Sequence, residues 1–405
     1  MKDVRHDFPQ LTRKINGKRL IYLDSTATSL KPSQVIAKEQ EYYTTHCANI
    51  FRGIYTTSEE ATAAYELARK NVARFIGAAH PSEIVFTRNT TESINLVMNA
   101  LSRTNLHGSE FVSTIMEHHS NFVPWQQLAL GFGVPFRVWN VDDSGALQLK
   151  DLEQLVTKKT KILAVTAVSN VLGTINPIRQ ICSIAKRMNP QCLVLVDAAQ
   201  AVPHMKIDVR NWDADLVAFS SHKMLGPTGV GVLWGKKELL EEFSPYQYGG
   251  EMIKEVHVDR TVFAEPPHKF EAGTPHIAGV IGLGAAVDYL ETIGMDAIRD
   301  HEVEITDYAM KALATVKGVN MYGPTKAKDR GGVIAFTMKG THAHDIAQLL
   351  NEDNVCIRAG HHCAMPLHEF LKIPATARAS FYIYTTKSDV DALIGGLEKI
   401  KQIFK

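Results

Sequence analysis

The segment RAGHHCAMPL, residues 358–367, puts one thiol, Cys363, directly after His361 and His362. A thiol beside imidazoles can act as a nucleophile if it is partly deprotonated and reachable. Zinc ligation would need three or four ligands at recurrent spacings. No CxxC and no second Cys/His pair lies close by, so a metal site is the weaker reading. A second segment, ADLVAFSSHKMLGPTGVGVLWG (214–235), sets Lys223 between a strand-like run and a turn rich in Gly and Pro. A lysine held there can form a Schiff base if its amine stays neutral. Asp197 ends the run CLVLVD, three residues before Gln200. A carboxylate in that position can pair with a protonated ring nitrogen. TRNTTES (87–93) brings small hydroxyl residues to a helix start, where free N–H groups suit a phosphate. EFVSTI (110–115) is followed by Glu117, His118 and His119, which offer an imidazole to a ring face.

Singly, each feature has a structural explanation. A lysine in a glycine-rich loop is ordinarily a solvated charge, and an aspartate at a strand end is as often a helix cap. In this order, at successive strand ends, Lys223, Asp197, the TTES start and His118 point to pyridoxal phosphate. Ligands in open α/β sheets gather at the carboxyl ends of the strands.

The elements that must carry these residues are legible. Seven apolar runs read as strands covered on both faces: 83–87, 110–115, 136–141, 161–168, 192–197, 216–220 and 229–235. Helical patterns separate several of them. One, TTSEEATAAYELARKNVARFIG, has Thr57 and Glu60 at capping-box spacing and Gly77 past its last turn. Another is TESINLVMNALSR. This alternation predicts an α/β unit with a mainly parallel seven-stranded sheet. After about residue 290 the pattern becomes α+β: a long helical region, the strands GGVIAFTM, VCIRAG and RASFYIYT, and a last helix. That helix puts Val390, Leu393, Ile394, Leu397, Ile400 and Phe404 on one stripe. The expected division is an N-terminal segment (1–20) packing with the small domain, a large domain (21–290) and a small domain (291–405) with the cysteine loop.

The totals limit the function classes. Of 405 residues, 44 are Lys or Arg and 43 are Asp or Glu, which gives no reason to expect nucleic acid or an anionic membrane as partner. No run approaches a membrane span of roughly 18 apolar residues, and the start, MKDVRHDFPQL, lacks the apolar stretch of a secretory signal. Five scattered cysteines fit a reducing cytosol better than a disulfide framework.

From YLDSTATSLKP through TRNTTESINLV, MEHHSNFVPW, AVSNVLGT, VDAAQAVPH, FSSHKMLGPTG and FEAGTP to RAGHHCAMPL and RASFYIYT, the chain resembles the cysteine desulfurases of the class V aminotransferase group, most closely the SufS-type branch. The combination of SHKMLGPTG with RAGHHCAMPL carries the likeness. It implies the fold type I architecture of pyridoxal-phosphate transferases, a homodimer, and conversion of L-cysteine to L-alanine with a persulfide on Cys363. Such sulfur supplies iron–sulfur cluster assembly in the cytoplasm, through an acceptor of SufE or SufU type. By the same resemblance, Lys223 holds the cofactor aldehyde and moves protons, Asp197 pairs with the pyridine nitrogen, Gln200 reaches the phenolic oxygen and His118 stacks on the ring. Thr91, Ser220 and His222 hold the phosphate, and Thr274 reaches that of a neighbouring subunit. Asn170, Arg358 and Arg378 bind the substrate carboxylate. The alternatives left open are a selenocysteine lyase or another β-lyase, and a non-catalytic sulfur-relay or metal-binding subunit. His342 and His344 read as a helix start or a docking point. The chain departs from the usual family residues at Thr26, Phe51, Tyr55, Asn89, His276 and Thr385, none of which belongs to the cofactor set.

Overall fold

The computed structural model describes residues 3–404; Met1, Lys2 and Lys405, which the expected segments 1–20 and 291–405 include, lie outside the described residues. The seven apolar runs become the strands of one sheet: β1 (Ile84–Thr87), β2 (Glu110–Thr114), β3 (Phe136–Trp139), β4 (Thr160–Thr166), β5 (Leu193–Asp197), β6 (Leu216–Ser220) and β7 (Gly231–Gly235). Their spatial order is β1-β7-β6-β5-β4-β2-β3. Strands β2 to β6 are parallel to their neighbours among themselves. Strand β7 runs antiparallel between β1 and β6. The runs are continuous in the sequence because both faces are covered. Along β5, Val194 and Val196 join one packing layer and Leu195 the other. Truncating Leu195 to alanine would cost about 2–5 kcal/mol, the range for buried leucines.

A second, antiparallel sheet holds β8 (Val319–Tyr322), β9 (Val333–Met338), β10 (Arg358–Gly360) and β11 (Thr376–Ser380), in the order β8-β9-β11-β10. Its core joins Ile334, Phe336 and Ala377 to Ile346 and Leu350 of the helix Ala343–Asn351. Val390, Leu393, Leu397 and Ile400 of the helix Lys387–Ile403 complete it. Of the expected stripe, Ile394 is only partly buried, and Phe404 falls past the helix end and is exposed.

Three local expectations are corrected. The helix Thr56–Phe75 starts two residues early for the Thr57/Glu60 box; Tyr55 is its N-cap and no side chain caps it. Thr57 is already helical, where its hydroxyl cannot satisfy the first N–H groups. VCIRAG is two strands: Val355–Cys356 pairs with Ile21–Tyr22, and β10 pairs with β11. RASFYIYT leaves the sheet at Ser380, because Phe381 donates to Gly332 and the rings of Tyr382 and Tyr384 turn into the larger core.

The N-terminal segment touches both parts. Arg5 donates to the Tyr384 carbonyl (2.6 Å) and pairs with Asp389, as does Arg19. Asp7 accepts from Tyr289 (2.7 Å). Among the described residues, no single helix is long and apolar enough to cross a membrane.

Candidate active site

The sheet delivers its polar groups just past the carboxyl ends of its strands. β5 ends at Asp197, whose Oδ1 accepts from the Ala199 N–H at 2.9 Å. Burial raises its carboxyl pKa, and Lys223 opposes that rise. β1 leads to Asn89, whose side chain caps the helix Thr90–Ser102 by accepting from Glu92 N–H. The Thr90 N–H donates to Ser220 Oγ (2.8 Å) at the end of β6, and the two hydroxyls lie 2.6 Å apart. The Thr91 hydroxyl meets that of Ser120 at 2.6 Å. β2 leads to His118, which caps the helix His119–Phe132; its Nδ1 accepts from Ser120 N–H at 3.1 Å, leaving the proton on Nε2. Burial, then the nearby Lys223 charge, pushes the His118 pKa down to about 3, so the ring is neutral.

Lys223 closes a short 3-10 turn after β6. Burial lowers its amine pKa, while Asp197 favours the charged form. The turn is held from below: the His222 carbonyl accepts from Ser29 N–H (3.0 Å), Thr28 Oγ1 (3.0 Å), Ser29 Oγ (3.1 Å) and Lys31 Nζ (2.9 Å). Burial holds the His222 ring neutral, with a pKa of about 4.

The cysteine loop is docked on the same strand ends. His119 N–H donates to the Cys363 carbonyl at 2.7 Å, and Asn170 Nδ2 donates to that of His362 at 2.7 Å. The Met365 N–H donates to His119 Nε2 (3.0 Å). His362 and Cys363 both have left-handed backbone, φ 51° and 56°, a costly pair for residues with a Cβ. Cys363 itself is exposed. His362 offers it no positive charge: burial pushes its pKa down to about 2, and its Nε2 faces Thr376 Oγ1 at 2.9 Å.

These groups surround one cavity of about 260 Å³. Lys223, Cys363, His118, Thr91, Asn170, Asp197, Ser220, His222, Arg358 and Arg378 all line it. Gln200 and Thr274 do not. The Gln200 amide donates to the Thr26 carbonyl (2.8 Å), and Thr274 lines a neighbouring open cavity that shares Asn89 and His222 with this one. Among the described residues, no cluster of three or more His, Cys, Asp or Glu side chains could hold a metal ion.

Lys31 and Asp24 escaped the sequence reading, while Thr90, within the TTES start, and Glu117 were named there without an individual role. Thr90 supplies the hydroxyl and N–H nearest Ser220; its place directly after the cap residue was the available signal. Lys31 is half-buried under the Lys223 turn. Glu117 is buried, accepting from Thr114 Oγ1 (2.7 Å), Thr166 N–H (2.8 Å) and Asn121 Nδ2 (2.6 Å). Burial raises its pKa to about 8 against those bonds, and Asp197 adds to the rise. Asp24 pairs with both Arg358 and Arg378, which no local pattern announces. Of the departures, Thr26 and Asn89 line the cavity, His276 lines the neighbouring one, Phe51 lies edge-on to His268 (5.0 Å) and Tyr55 is exposed. Thr385 is buried, its hydroxyl accepting from Tyr382 N–H.

A buried amine of lowered pKa, a buried carboxylate and a hydroxyl-lined helix start define an α/β enzyme site for a phosphorylated aldehyde with a ring nitrogen. The comparisons agree with that class. The signature of the class-V aminotransferases matches residues 21–393, and the chain belongs to that family. A probable cysteine desulfurase of Streptomyces coelicolor is 48% identical over 407 residues, covering 99% of this chain and 97% of its own length. One from Halalkalibacterium halodurans is 49% identical over 403 residues, covering 99% and 98%. The apo structure of a cysteine desulfurase from Thermococcus onnurineus superposes with a TM-score of 0.94 at 40% identity, covering 99% of each chain. The Escherichia coli cysteine desulfurase CsdA gives 0.90 at 37% identity, covering 99% of this chain and 98% of its own. The fold is the fold type I architecture of pyridoxal-phosphate enzymes.

Proposed function

We propose that this chain is a pyridoxal-phosphate-dependent cysteine desulfurase, converting L-cysteine to L-alanine and loading the sulfur on Cys363. One observation carries the reading: the Lys223 amine and the Cys363 thiol line a single cavity. Bound there, pyridoxal phosphate would supply an aldehyde that captures the substrate amine and a ring that draws electrons from Cα. Thr90, Thr91, Ser220 and His222 would hold its phosphate, Asp197 its ring nitrogen, Gln200 its phenolic oxygen and His118 the ring face.

The protein's own residues do the rest. Lys223, whose pKa burial depresses, can take the Cα proton as a neutral amine and return it as an acid. Arg378 grips the substrate carboxylate. Cys363 gives up its proton, and its sulfur bonds to the substrate sulfur as the substrate C–S bond breaks. Alanine leaves, and the enzyme keeps a persulfide. A dithiol or an acceptor thiol then reduces the persulfide, releasing sulfide or carrying the sulfur away. The Cys363 loop is tied at three hydrogen bonds, which supports slow turnover until an acceptor drains the persulfide.

The reading extends to a SufS-type role in iron–sulfur cluster assembly, a cytoplasmic homodimer in which Thr274 serves the partner's phosphate, and an acceptor of SufE or SufU type. The domain division at about residues 20 and 290 belongs to the same proposal. The test is direct. The purified protein should be yellow and yield equal alanine and sulfide from cysteine with a reductant. Cys363→Ser should keep the colour and lose at least about 100-fold in sulfur release, the loss of an activated nucleophile. Wild-type rates from that variant would overturn the assignment.

A further inference from the structure

Strand register places Arg358 directly opposite Arg378 on β10 and β11. Like charges at such a cross-strand pair repel. Asp24 enters beside them through a bridge to Ser380 of β11. Its Oδ2 accepts from Arg358 Nε (3.2 Å) and lies 3.1 Å from Arg358 Nη2, and its Oδ1 accepts from Arg378 Nη2 (3.2 Å). Arg378 is only 3% exposed, and its Nη1 is committed to the Asn170 carbonyl at 3.0 Å. Its Nε has no partner among the described residues. A buried guanidinium N–H without a partner, on a residue that lines a cavity, is a donor in reserve. Both arginines line the cavity that also holds Lys223 and Cys363.

The geometry points to Asp24 as a specificity-determining residue that sets the charge of the carboxylate pocket. Two guanidinium charges and one carboxylate leave a single positive charge. That matches a substrate with one carboxylate, bound at the open Nε and the second hydrogen of Nη2. Without Asp24 the pocket carries two positive charges and favours dianions. The inference rests on the amino-acid-binding reading above but concerns anion selection, not sulfur chemistry. It also leaves Asp24 as a positioning residue, since its own oxygens are taken by the arginines.

The experiment titrates the yellow holoenzyme with sulfate and with acetate at constant ionic strength, following the visible band and competition against cysteine. Asp24→Asn, which preserves volume, should bind sulfate about tenfold more tightly, on the order of one unit charge acting at a partly buried site. Acetate should gain less than sulfate. Arg358→Gln, at the half-exposed partner, should weaken sulfate by a similar factor. The double variant restores one positive charge and should return to within about threefold of wild type, since the charges act as a coupled set. If Asp24→Asn binds sulfate no better than wild type, or the double variant fails to recover, the inference is overturned. Loss of alanine and sulfide production from the wild-type protein would instead sink the desulfurase reading and leave the charge pattern untouched.

Discussion

Two buried arginines, Arg69 and Arg378, are 1% and 3% exposed and behave in opposite ways. Arg69 forks onto Glu271 at 2.7 and 2.9 Å, reaches Glu66 at 3.1 Å and donates to the Ile84 carbonyl at 2.8 Å. Its guanidinium lies over the Phe86 ring. Although burial opposes it, Glu271 holds the Arg69 pKa above the ordinary range. Burial instead pulls Arg378 down to about 10, with the Arg358 charge adding to the fall and Asp24 opposing it. A closed polar network holds the helix Thr56–Phe75 to the sheet; an open one waits for a ligand.

The largest expected effect lies on the open side. On the proposed reading, Lys223→Ala removes the amine that would hold the aldehyde and move the proton, so turnover should fall by at least about 1,000-fold. The visible spectrum should change while the urea midpoint stays near wild type. A variant that still turns over at a tenth of the wild-type rate would detach Lys223 from the chemistry.

A paired experiment sharpens the contrast between the arginines. Glu271→Gln removes the buried partner of Arg69, leaving it only the more exposed Glu66, and should cost about 3 kcal/mol of stability in urea. Arg378→Lys cannot reproduce a two-point grip, so the KM for cysteine should rise about 10- to 100-fold, the worth of one or two charged hydrogen bonds. Stability should hardly move in that variant. If the two substitutions exchange their effects, the division between closed and open networks is wrong.

The smallest effect concerns pH. Glu117 has its folded pKa raised to about 8 from an ordinary value of 4.5. The folded state therefore binds this proton more tightly than the unfolded chain does. The resulting stability is complete below about pH 4.5 and is lost as pH rises through about 8. Glu117→Gln should flatten that loss, so variant and wild type should diverge in urea midpoint at pH 9 more than at pH 5. Parallel curves would place the Glu117 proton elsewhere.

The seven sheet strands were readable because a doubly covered strand must be apolar throughout, and their ends marked Asp197, Ser220 and Thr90–Thr91. Where elements change partners the pattern failed. VCIRAG reads as one strand, yet its halves pair with different strands. The Thr57 box also misled, since spacing cannot say which residue leaves the helix first.

Sequence alone determined the two folding patterns and singled out Lys223 and Cys363 as the candidate amine and thiol, because apolar periodicity and side-chain chemistry are local properties. Tertiary structure alone decided that those groups share one cavity 140 residues apart in the chain, from Lys223 to Cys363. It also turned Asn170 toward the cysteine loop, set Arg358 against Arg378, and brought Asp24 between them. Hydrogen-bond partners and net charge in a pocket depend on which strands align, and register is settled only when the sheets pack.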